Sequence, residues 1–498
     1  MKKWAIPVLL IITFPVLAQK ALPGEALARQ YCGSCHLFPS PDLLPAKTWT
    51  ENVLPNMGTR LGVKSIKKDQ LKDKSAPERK ILDDLNVYSK VQLLTDAQWE
   101  AIVNYYVQNA PAEPLPQPEK PEPLPLTGFS VNQMTLEGKP VPKTTMLYGN
   151  NLTGELFLGD ASNRLYVKDK QNNLYSLPEI NSPPVKMARR AEGIYDILCI
   201  GSIDPSDLSA GRIYEADFNR SGWSVLIDSL ARPVDLLWAD LESDGRPDLL
   251  VCNFGNNLGH LSLYPDGDRR REKILLYRPG TRKAEVHDFN NDGRPDILVM
   301  YCQGREGMSI LYNRGNGEFE EKEILEFHPL MGLSYFQLAD FNGDGQPDIL
   351  LSNGDNWDYS KVSKNYHGIR IFINKGEGRF ELAWFYPQYG VSKSVACDFD
   401  HDGKPEIVSI AFYDNLENPA DSFLYFKNTG EMNFQPYRMA DAALGKWITL
   451  EVADLDQDGD ADIYLGSYFH NTTEFSKFLV TGQKEYPQVL ILTNQTVP

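Results

Sequence analysis

The segment HDFNNDGRPDILV, residues 287–299, alternates acids and amides around a glycine and then runs into apolar residues. Four further copies share its frame: ADLESDGRPDLLV (239–251), ADFNGDGQPDILL (339–351), CDFDHDGKPEIVS (397–409) and ADLDQDGDADIYL (453–465). The first acids of successive copies lie 48, 52, 58 and 56 residues apart. Because this period fits one four-stranded blade with its loops, the repeat predicts a β-propeller.

A second repeated signal lies between the acidic segments. The stretches 313–319, 374–380 and 428–434 each begin with Asn, carry Gly at the third position and end with Phe, between two apolar runs. This pattern is typical of a tight hairpin joining antiparallel strands. Residues 143–230 lack the acidic segment but have strand-like runs for two more blades. Five blades plus two predict an all-β seven-bladed propeller.

The acidic segments have the side chains of a calcium loop. Oxygen-bearing residues occupy positions 1, 3, 5 and 9, and Gly occupies position 6, which suits a cation that takes about six to eight oxygen ligands. An EF-hand is excluded because position 12 carries Val, Leu or Ser instead of Glu. A solvated turn without metal is the alternative. The predicted ligands, for up to five Ca²⁺ ions, are Asp240, Glu242, Asp244, Asp248, Asp288, Asn290, Asp292, Asp296, Asp340, Asn342, Asp344, Asp348, Asp398, Asp400, Asp402, Glu406, Asp454, Asp456, Asp458 and Asp462.

These repeats resemble the FG-GAP/VCBS family of integrin-α-like propellers over roughly residues 143–495. The resemblance implies seven blades, with calcium loops that are structural and adhesive rather than catalytic.

The N-terminal part of the chain carries a different motif. Cys32-Gly33-Ser34-Cys35-His36 is the CxxCH signature of covalent haem c attachment, with His36 as the proximal iron ligand. A zinc half-site, a dithiol redox pair and chance are the alternatives. Zinc requires further Cys or His ligands, yet the next ones are Cys199 and His260. Haem is therefore the favoured prediction.

Met57 is the predicted sixth iron ligand, because it is the one Met between His36 and the Pro-rich stretch, and no second His lies there. Simple packing of its side chain is the alternative. The CxxCH segment, the stretch 49–58 and a helix predicted after a capping box at Thr95 resemble a class I cytochrome c domain over residues 20–110. That resemblance implies a small all-α domain in which Cys32, Cys35, His36 and Met57 bind haem c.

The order of segments predicts an exported two-domain protein. Residues 1–18 have the basic start and short apolar run of a signal peptide, which predicts a periplasmic or secreted protein with no stable membrane span after cleavage. Residues 111–126 include seven Pro and predict a semi-rigid linker between the haem domain and the propeller, residues 127–498. Residues 63–93 are predicted to be a solvated insertion.

The net charge of −17, with no basic stripe, excludes a nucleic-acid binder. The predicted function is electron transfer by a c-type cytochrome whose propeller binds a redox partner protein or a small-molecule or glycan ligand. The loops after the second strand of each blade, including Phe254, Tyr413 and Tyr468, are the predicted binding surface. A haem-coupled oxidoreductase and an adhesion module are the alternatives. An electron carrier is favoured over an enzyme, since no nucleophilic triad, quinone-cofactor signature or HExxH motif is present.

Overall fold

Helices occupy the chain up to Asn109, and strands dominate it from Leu124 onwards. The computed structural model describes residues 23–66, 70–220, 222–356, 360–413, 417–479 and 486–496. The predicted signal peptide, residues 1–18, lies outside these described residues. Within them, no helix combines the length and apolar character needed to cross a membrane.

The N-terminal helices pack around two buried aromatic rings. The helices are α1 (Gly24–Cys32), α2 (Ala46–Thr48), α3 (Leu54–Arg60), α4 (Ala76–Asp84) and α5 (Asp96–Asn109), with a π-helical turn, Trp49–Val53, between α2 and α3. The rings of Trp49 and Tyr106 lie 4.5 Å apart between centroids and are almost fully buried. The predicted capping box is confirmed, because Thr95 and Gln98 exchange side-chain-to-backbone hydrogen bonds at the start of α5.

The strands form seven sheets, each built on four antiparallel strands, which confirms the predicted seven-bladed propeller. Two strands precede the first blade: β1 (Leu124–Pro125) and β2 (Phe129–Met134). Blades 1 to 3 contain β3 (Thr144–Asn150), β4 (Glu155–Asp160), β5 (Arg164–Lys168), β6 (Leu174–Ser176); β7 (Pro184–Ala191), β8 (Ile194–Cys199), β9 (Gly211–Asp217), β10 (Gly222–Leu230); and β11 (Pro233–Ala239), β12 (Asp248–Asn253), β13 (His260–Tyr264), β14 (Lys273–Tyr277).

Blades 4 to 7 follow the same order along the chain. They contain β15 (Thr281–His287), β16 (Asp296–Gln303), β17 (Arg305–Gly315), β18 (Glu318–Phe327); β19 (Leu333–Ala339), β20 (Asp348–Asn353), β21 (Gly368–Asn374), β22 (Phe380–Pro387); β23 (Val391–Cys397), β24 (Glu406–Ala411), β25 (Phe423–Gly430), β26 (Asn433–Arg438); and β27 (Trp447–Ala453), β28 (Asp462–Ser467), β29 (Val489–Asn494). A helix, α6 (Thr472–Leu479), lies between β28 and β29.

The ring closes through a strand from the beginning of the propeller. Strand β2 is the outermost strand of blade 7, where it pairs antiparallel with β29 from Phe129↔Asn494 to Met134↔Val489. Blade 7 therefore combines strands from both ends of the propeller.

The position of a strand in its blade explains its sequence pattern. The second strands, such as β12 and β20, are buried along their whole length and read as continuous apolar runs between their terminal polar residues. The outermost strand β18, EFEEKEILEF, is mostly charged and has no fully buried residue, because an outermost strand meets solvent.

The Pro-rich segment packs along the propeller and is not a free spacer, so that part of the linker prediction is wrong. The Gln117 side-chain amide donates to the His367 carbonyl at 3.2 Å, and Lys120 Nζ donates to the Pro387 carbonyl at 2.9 Å. Strand β1 then pairs parallel with β26. The outer edge of blade 6 offers unpaired backbone groups, which an extended segment can satisfy even when Pro supplies few N–H donors.

Residues 63–93 are also more than a solvated insertion. Val63 and Leu82 are buried, and Lys74 Nζ donates to the Pro205 carbonyl of blade 2 at 3.2 Å. The Lys- and Asp-rich composition of the segment concealed these few apolar anchors.

Candidate functional site

The two faces of the propeller have different loops. Within each blade, the connections from strand 1 to 2 and from 3 to 4 lie on one face, which we call the acidic face because it holds the five acidic segments. The connections from strand 2 to 3 and from each blade to the next lie on the opposite face. We call this the helical face, because Leu330 and Val362 from its loops pack against the helical core.

A cavity of about 910 Å³ lies between the helices and the helical face. Its helical wall includes all four predicted cofactor-binding residues, Cys32, Cys35, His36 and Met57. Its volume is at the upper end of the ~300–1,000 Å³ typical of cofactor and small-molecule sites. The structure thus places these residues on one cavity rather than on separate surfaces.

The two thiols lie at the C-terminal end of α1. Cys32 is the last residue of the helix, and Cys35 follows in a turn in which Ser34 Oγ donates to the Tyr31 carbonyl at 2.8 Å. Neither cysteine forms a disulfide. Burial raises the pKa of the Cys32 thiol to about 11, although its hydrogen bond with Tyr106 acts in the opposite direction. A raised pKa disfavours Cys32 as the thiolate nucleophile of a dithiol redox pair.

His36 has the features of a neutral metal ligand. Its Nδ1 lies 3.0 Å from the Leu37 carbonyl oxygen, which favours the tautomer that protonates Nδ1 and gives Nε2 a lone pair. Burial lowers the pKa of His36, so the imidazole is neutral at pH 7.

Met57 lies on α3 and faces the same cavity while packing partly against the helical core. The next residue, Gly58, lies close against its neighbours, because an added Cβ would be 2.7 Å from Trp99 Cζ2. Two thiols, a neutral imidazole and a thioether on one cavity fit a covalently attached haem with axial His and Met ligands. A structural zinc site fits less well, because the ligand atoms of Cys32, Cys35 and His36 do not form a group within 4.8 Å in the part of the chain that the structure describes.

Propeller loops form the opposite wall of the cavity. The predicted binding-surface residues Phe254, Tyr413 and Tyr468 line it, whereas residues 357–359 and 414 of that prediction lie outside the described residues. The Arg282 guanidinium contacts Asp355 Oδ2 at 3.4 Å and donates to the Tyr413 hydroxyl at 3.0 Å. Arg60 Nη2 donates to Asn257 Oδ1 at 3.4 Å and so connects α3 to blade 3.

Charged residues from the innermost strands continue the cavity toward the propeller axis. Lys186 pairs with Asp235 at 3.4 Å, and Lys393 Nζ donates to the Leu450 carbonyl at 2.6 Å. The sequence prediction missed these residues. The available signal was a polar residue at the third position of successive inner strands, as in PVK, PVD, TRK and VSK.

The acidic segments adopt one repeated backbone arrangement. In blade 4, the Asp288 carboxylate accepts from the backbone N–H groups of Asp292 and Gly293 at 3.1 and 2.8 Å. The ninth-position acid, Asp296, is fully buried and accepts from the backbone N–H groups of Phe289 and Asn313 at 3.0 and 2.8 Å. The ninth-position acid thus links the acidic loop to the hairpin after the third strand through hydrogen bonds.

The predicted metal ligands come together to different extents. In the part of the chain that the structure describes, three acidic groups place ligand atoms within 4.8 Å of one another in two segments: Asp398, Asp400 and Glu406 in blade 6, and Asp454, Asp456 and Asp458 in blade 7. In blades 3 and 4, Arg246 and Arg294 draw the fifth-position acids Asp244 and Asp292 into ion pairs of 2.5 Å. In blades 4 and 5 an amide, Asn290 or Asn342, takes the third position and hydrogen-bonds to the fifth acid.

The blade 7 segment fits a cation best. Asp460 is 6 % exposed, and its Oδ1, like Asp454 Oδ1, is buried without a hydrogen-bond partner. Burial, together with the charges of Asp456 and Asp460, raises the pKa of Asp462 to about 6 against the opposing hydrogen bond from the Asn494 N–H. Carboxylates this close repel one another, and their oxygens are the ligand type that Ca²⁺ takes.

Comparison with known proteins supports the repeat assignment. The FG-GAP-like repeat family model matches residues 288–351 and 398–465. No curated protein matches the chain. Among solved structures, a chain from an S. cerevisiae complex of Dbp5 with Nup159, Gle1, IP6 and ADP is similar with a TM-score of 0.42 and 10% identity, over 76% of this chain and 99% of that one.

Two further solved structures show comparable similarity. The N-terminal domain of Nup159 has a TM-score of 0.43 and 11% identity, over 76% of this chain and 99% of that one. A putative gluconolactonase has a TM-score of 0.35 and 14% identity, over 64% of this chain and 96% of that one. Together, the family match and the sheet topology identify the strand-rich part of the chain as a seven-bladed β-propeller that contains FG-GAP-like repeats.

Proposed function

We propose that the chain is a periplasmic or secreted c-type cytochrome that transfers electrons, with its N-terminal helices as the haem domain. The supporting observation is the single cavity lined by Cys32, Cys35, His36 and Met57. When bound, haem c supplies one-electron chemistry. The thiols of Cys32 and Cys35 would hold it covalently, and His36 and Met57 would offer a nitrogen and a sulfur to its iron.

The protein would position the haem and shield it from solvent. The Leu37 carbonyl orients the His36 ring, and the packed rings of Trp49 and Tyr106 support the wall behind the thiols. Loops of the helical face cover the other side of the cavity. A redox partner would therefore approach the cofactor over the loops of the helical face or over the exposed turn at Cys35.

Calcium bound at the acidic face is the second part of the proposal. Blade 7 carries the strongest case, because its five carboxylates crowd one turn and, among the described residues, none of them is paired with a basic side chain. The ion would neutralise this repulsion and hold the loop against the ends of strands β28 and β29. Its role is structural, since the acidic face lies opposite the cavity.

The haem assignment is tested by expressing the wild type, Cys32→Ala/Cys35→Ala and Cys302→Ala together with the cytochrome c maturation machinery. Haem staining after denaturing electrophoresis should persist in the wild type and disappear in the double variant, because the thioether bonds are lost. Cys302→Ala, whose thiol also lines the cavity but lies outside CxxCH, should stain like the wild type. Staining that persists in the double variant would refute covalent attachment.

A haem-coupled oxidoreductase is the second candidate function. It is favoured by the continuity of the cavity from His36 to Arg282, Asp355 and Tyr413, because a small molecule bound to those propeller residues would lie in the same cavity as the haem. Anaerobic mixing of the oxidised protein with sugars and alcohols, followed at the haem absorption bands, distinguishes the candidates. Reduction that is saturable in substrate and lost in Arg282→Gln supports the enzyme, and no reduction supports the electron carrier.

A further inference from the structure

Blade 6 differs from its neighbours at one position beside the acidic loop. In blades 4 to 7, an Asn near the end of the third strand lies next to the loop: Asn313, Asn374, Asn428 and Asn494. The residue before this Asn is Tyr312, Ile373 or Thr493 in blades 4, 5 and 7. In blade 6 it is Lys427, the one residue of this set that carries a positive charge.

The Lys427 ammonium lies among the carboxylates predicted to bind metal. Its Nζ contacts Asp400 Oδ2 directly and lies 3.5 Å from both Asp402 Oδ2 and Glu406 Oε1. Glu406 is fully buried, and Lys427 and Asp400 are about three-quarters buried. Glu406 Oε2 accepts from the Phe399 N–H at 3.0 Å, so the remaining oxygen, Oε1, is the one turned toward the ammonium.

The ninth-position residue is also different in blade 6. The other four segments carry Asp there, whereas blade 6 carries Glu406, which is longer by one methylene. The added length lets Glu406 bind the loop backbone with one oxygen and approach Lys427 with the other. The two residues that depart from the repeat, Lys427 and Glu406, therefore lie next to each other beside the acidic loop.

We propose that Lys427 takes the place of the calcium ion in blade 6, so that this loop is neutralised by its own chain and stays metal-free while blade 7 binds calcium. The inference rests on the proposed calcium role of the acidic face. An ammonium in contact with Asp400 repels a divalent cation and engages oxygens that the cation needs. Blade 7 has Thr493 at the corresponding position, and none of its five carboxylates forms an ion pair within the described residues.

The experiment counts calcium in the full-length protein after removal of metal and equilibrium dialysis against a fixed excess of Ca²⁺. Lys427→Met, which retains the aliphatic stem, should bind one calcium ion more than the wild type. Lys404→Met is the matched control, because this exposed lysine pairs with Asp402 at 3.3 Å in the same loop. Lys404→Met should leave the count unchanged.

Two substitutions in the otherwise wild-type chain separate the blades. Asp400→Asn should leave the calcium count unchanged, because the blade 6 loop binds none, and Asp458→Asn should lower it by one. A calcium ion lost in Asp400→Asn would overturn the inference. So would a Lys427→Met count equal to that of the wild type.

Melting of the metal-free proteins distinguishes this inference from the calcium proposal. Without Lys427, Asp400 and Glu406 lose the one ion-pair partner they have among the described residues, so metal-free Lys427→Met should melt below metal-free wild type, while Lys404→Met should not. If the wild type binds no calcium but metal-free Lys427→Met still melts below metal-free wild type, the calcium proposal is refuted and the role of Lys427 stands. Equal melting of metal-free Lys427→Met and wild type would overturn the role of Lys427 whatever the calcium count.

Discussion

At the residue scale, the proposed haem potential depends on the side chain of Met57. A thioether ligand stabilises ferrous iron, so Met57→Ala should lower the reduction potential, by on the order of 100 mV within the ~0.8 V range that axial ligands span. Spectroelectrochemical titration measures this shift. Met432→Ala, on the acidic face, is the control and should leave the potential unchanged. An unchanged potential in Met57→Ala would mean that its side chain only packs.

Asp196 gives a second prediction at this scale, because it is a fully buried carboxylate on strand β8. Its Oδ2 accepts from Trp238 Nε1 at 2.8 Å, and its Oδ1 has no hydrogen-bond partner. Burial raises its pKa to about 6, against the opposing effect of Arg190, from the ordinary 3.8. The folded state therefore holds this proton more tightly than the unfolded state, and the Asp196 contribution to stability falls as pH rises from about 4 to about 6.

Asp196→Asn keeps the acceptor for Trp238 and does not titrate. Its melting temperature relative to the wild type should therefore rise between pH 4 and pH 7, by the equivalent of about 2 kcal/mol in the free energy of unfolding. Asp228→Asn is the control, because hydrogen bonds from Arg212 lower the pKa of Asp228 and reverse the sign of its small effect. A melting difference for Asp196→Asn that is constant with pH would contradict this prediction.

At the scale of elements, the crossing of α1 and α5 depends on a missing side chain. A Cβ at Gly24 would lie 2.3 Å from the Ala101 carbonyl oxygen and 3.0 Å from Tyr105 Cβ. Gly24→Ala should destabilise the helical domain by about 1–3 kcal/mol, the usual effect of overpacking, although Ala is the better helix former. Thermal melting followed by helical circular dichroism measures it. Ala26→Ser, on the exposed side of α1, should melt close to the wild type, and a Gly24→Ala variant that gains stability would refute the close crossing.

The same elements show what the sequence could and could not predict. Acidic loops, hairpins and the capping box of α5 were predictable, because each is encoded by a few adjacent residues with strong turn or cap preferences. The pairing of β1 with β26 was not, since it joins residues about 300 positions apart through backbone groups alone. The acidic side chains were predicted residue by residue, but their spacing gave no sign that Lys427 would reach Asp400 across the blade. The charged residues of the innermost strands, such as Lys186 and Lys393, were missed because each one looks like an isolated polar residue within its own strand.

At the scale of the whole molecule, calcium removal should loosen the propeller and spare the haem site. A ligand that binds only the folded state stabilises it by about 2.7 kcal/mol at a hundredfold excess over its dissociation constant. Chelator should lower the melting temperature of the full chain by several degrees, and added Ca²⁺ should restore it. Calorimetry with parallel haem absorbance measures both effects. An unchanged melting curve would mean that the acidic loops are turns without metal.

The closure of blade 7 by β2 also sets an order of assembly. A chain is synthesised from its N-terminus, so the helices and the CxxCH turn emerge well before β29, the partner that β2 needs. Until β29 arrives the ring stays open, and the propeller loops that later cover Cys32 and His36 are not yet held in one surface. For the proposed haem attachment, the thiols would thus be most accessible to an attachment enzyme before the ring closes, and pairing of the last strand would close the cavity after the cofactor has entered.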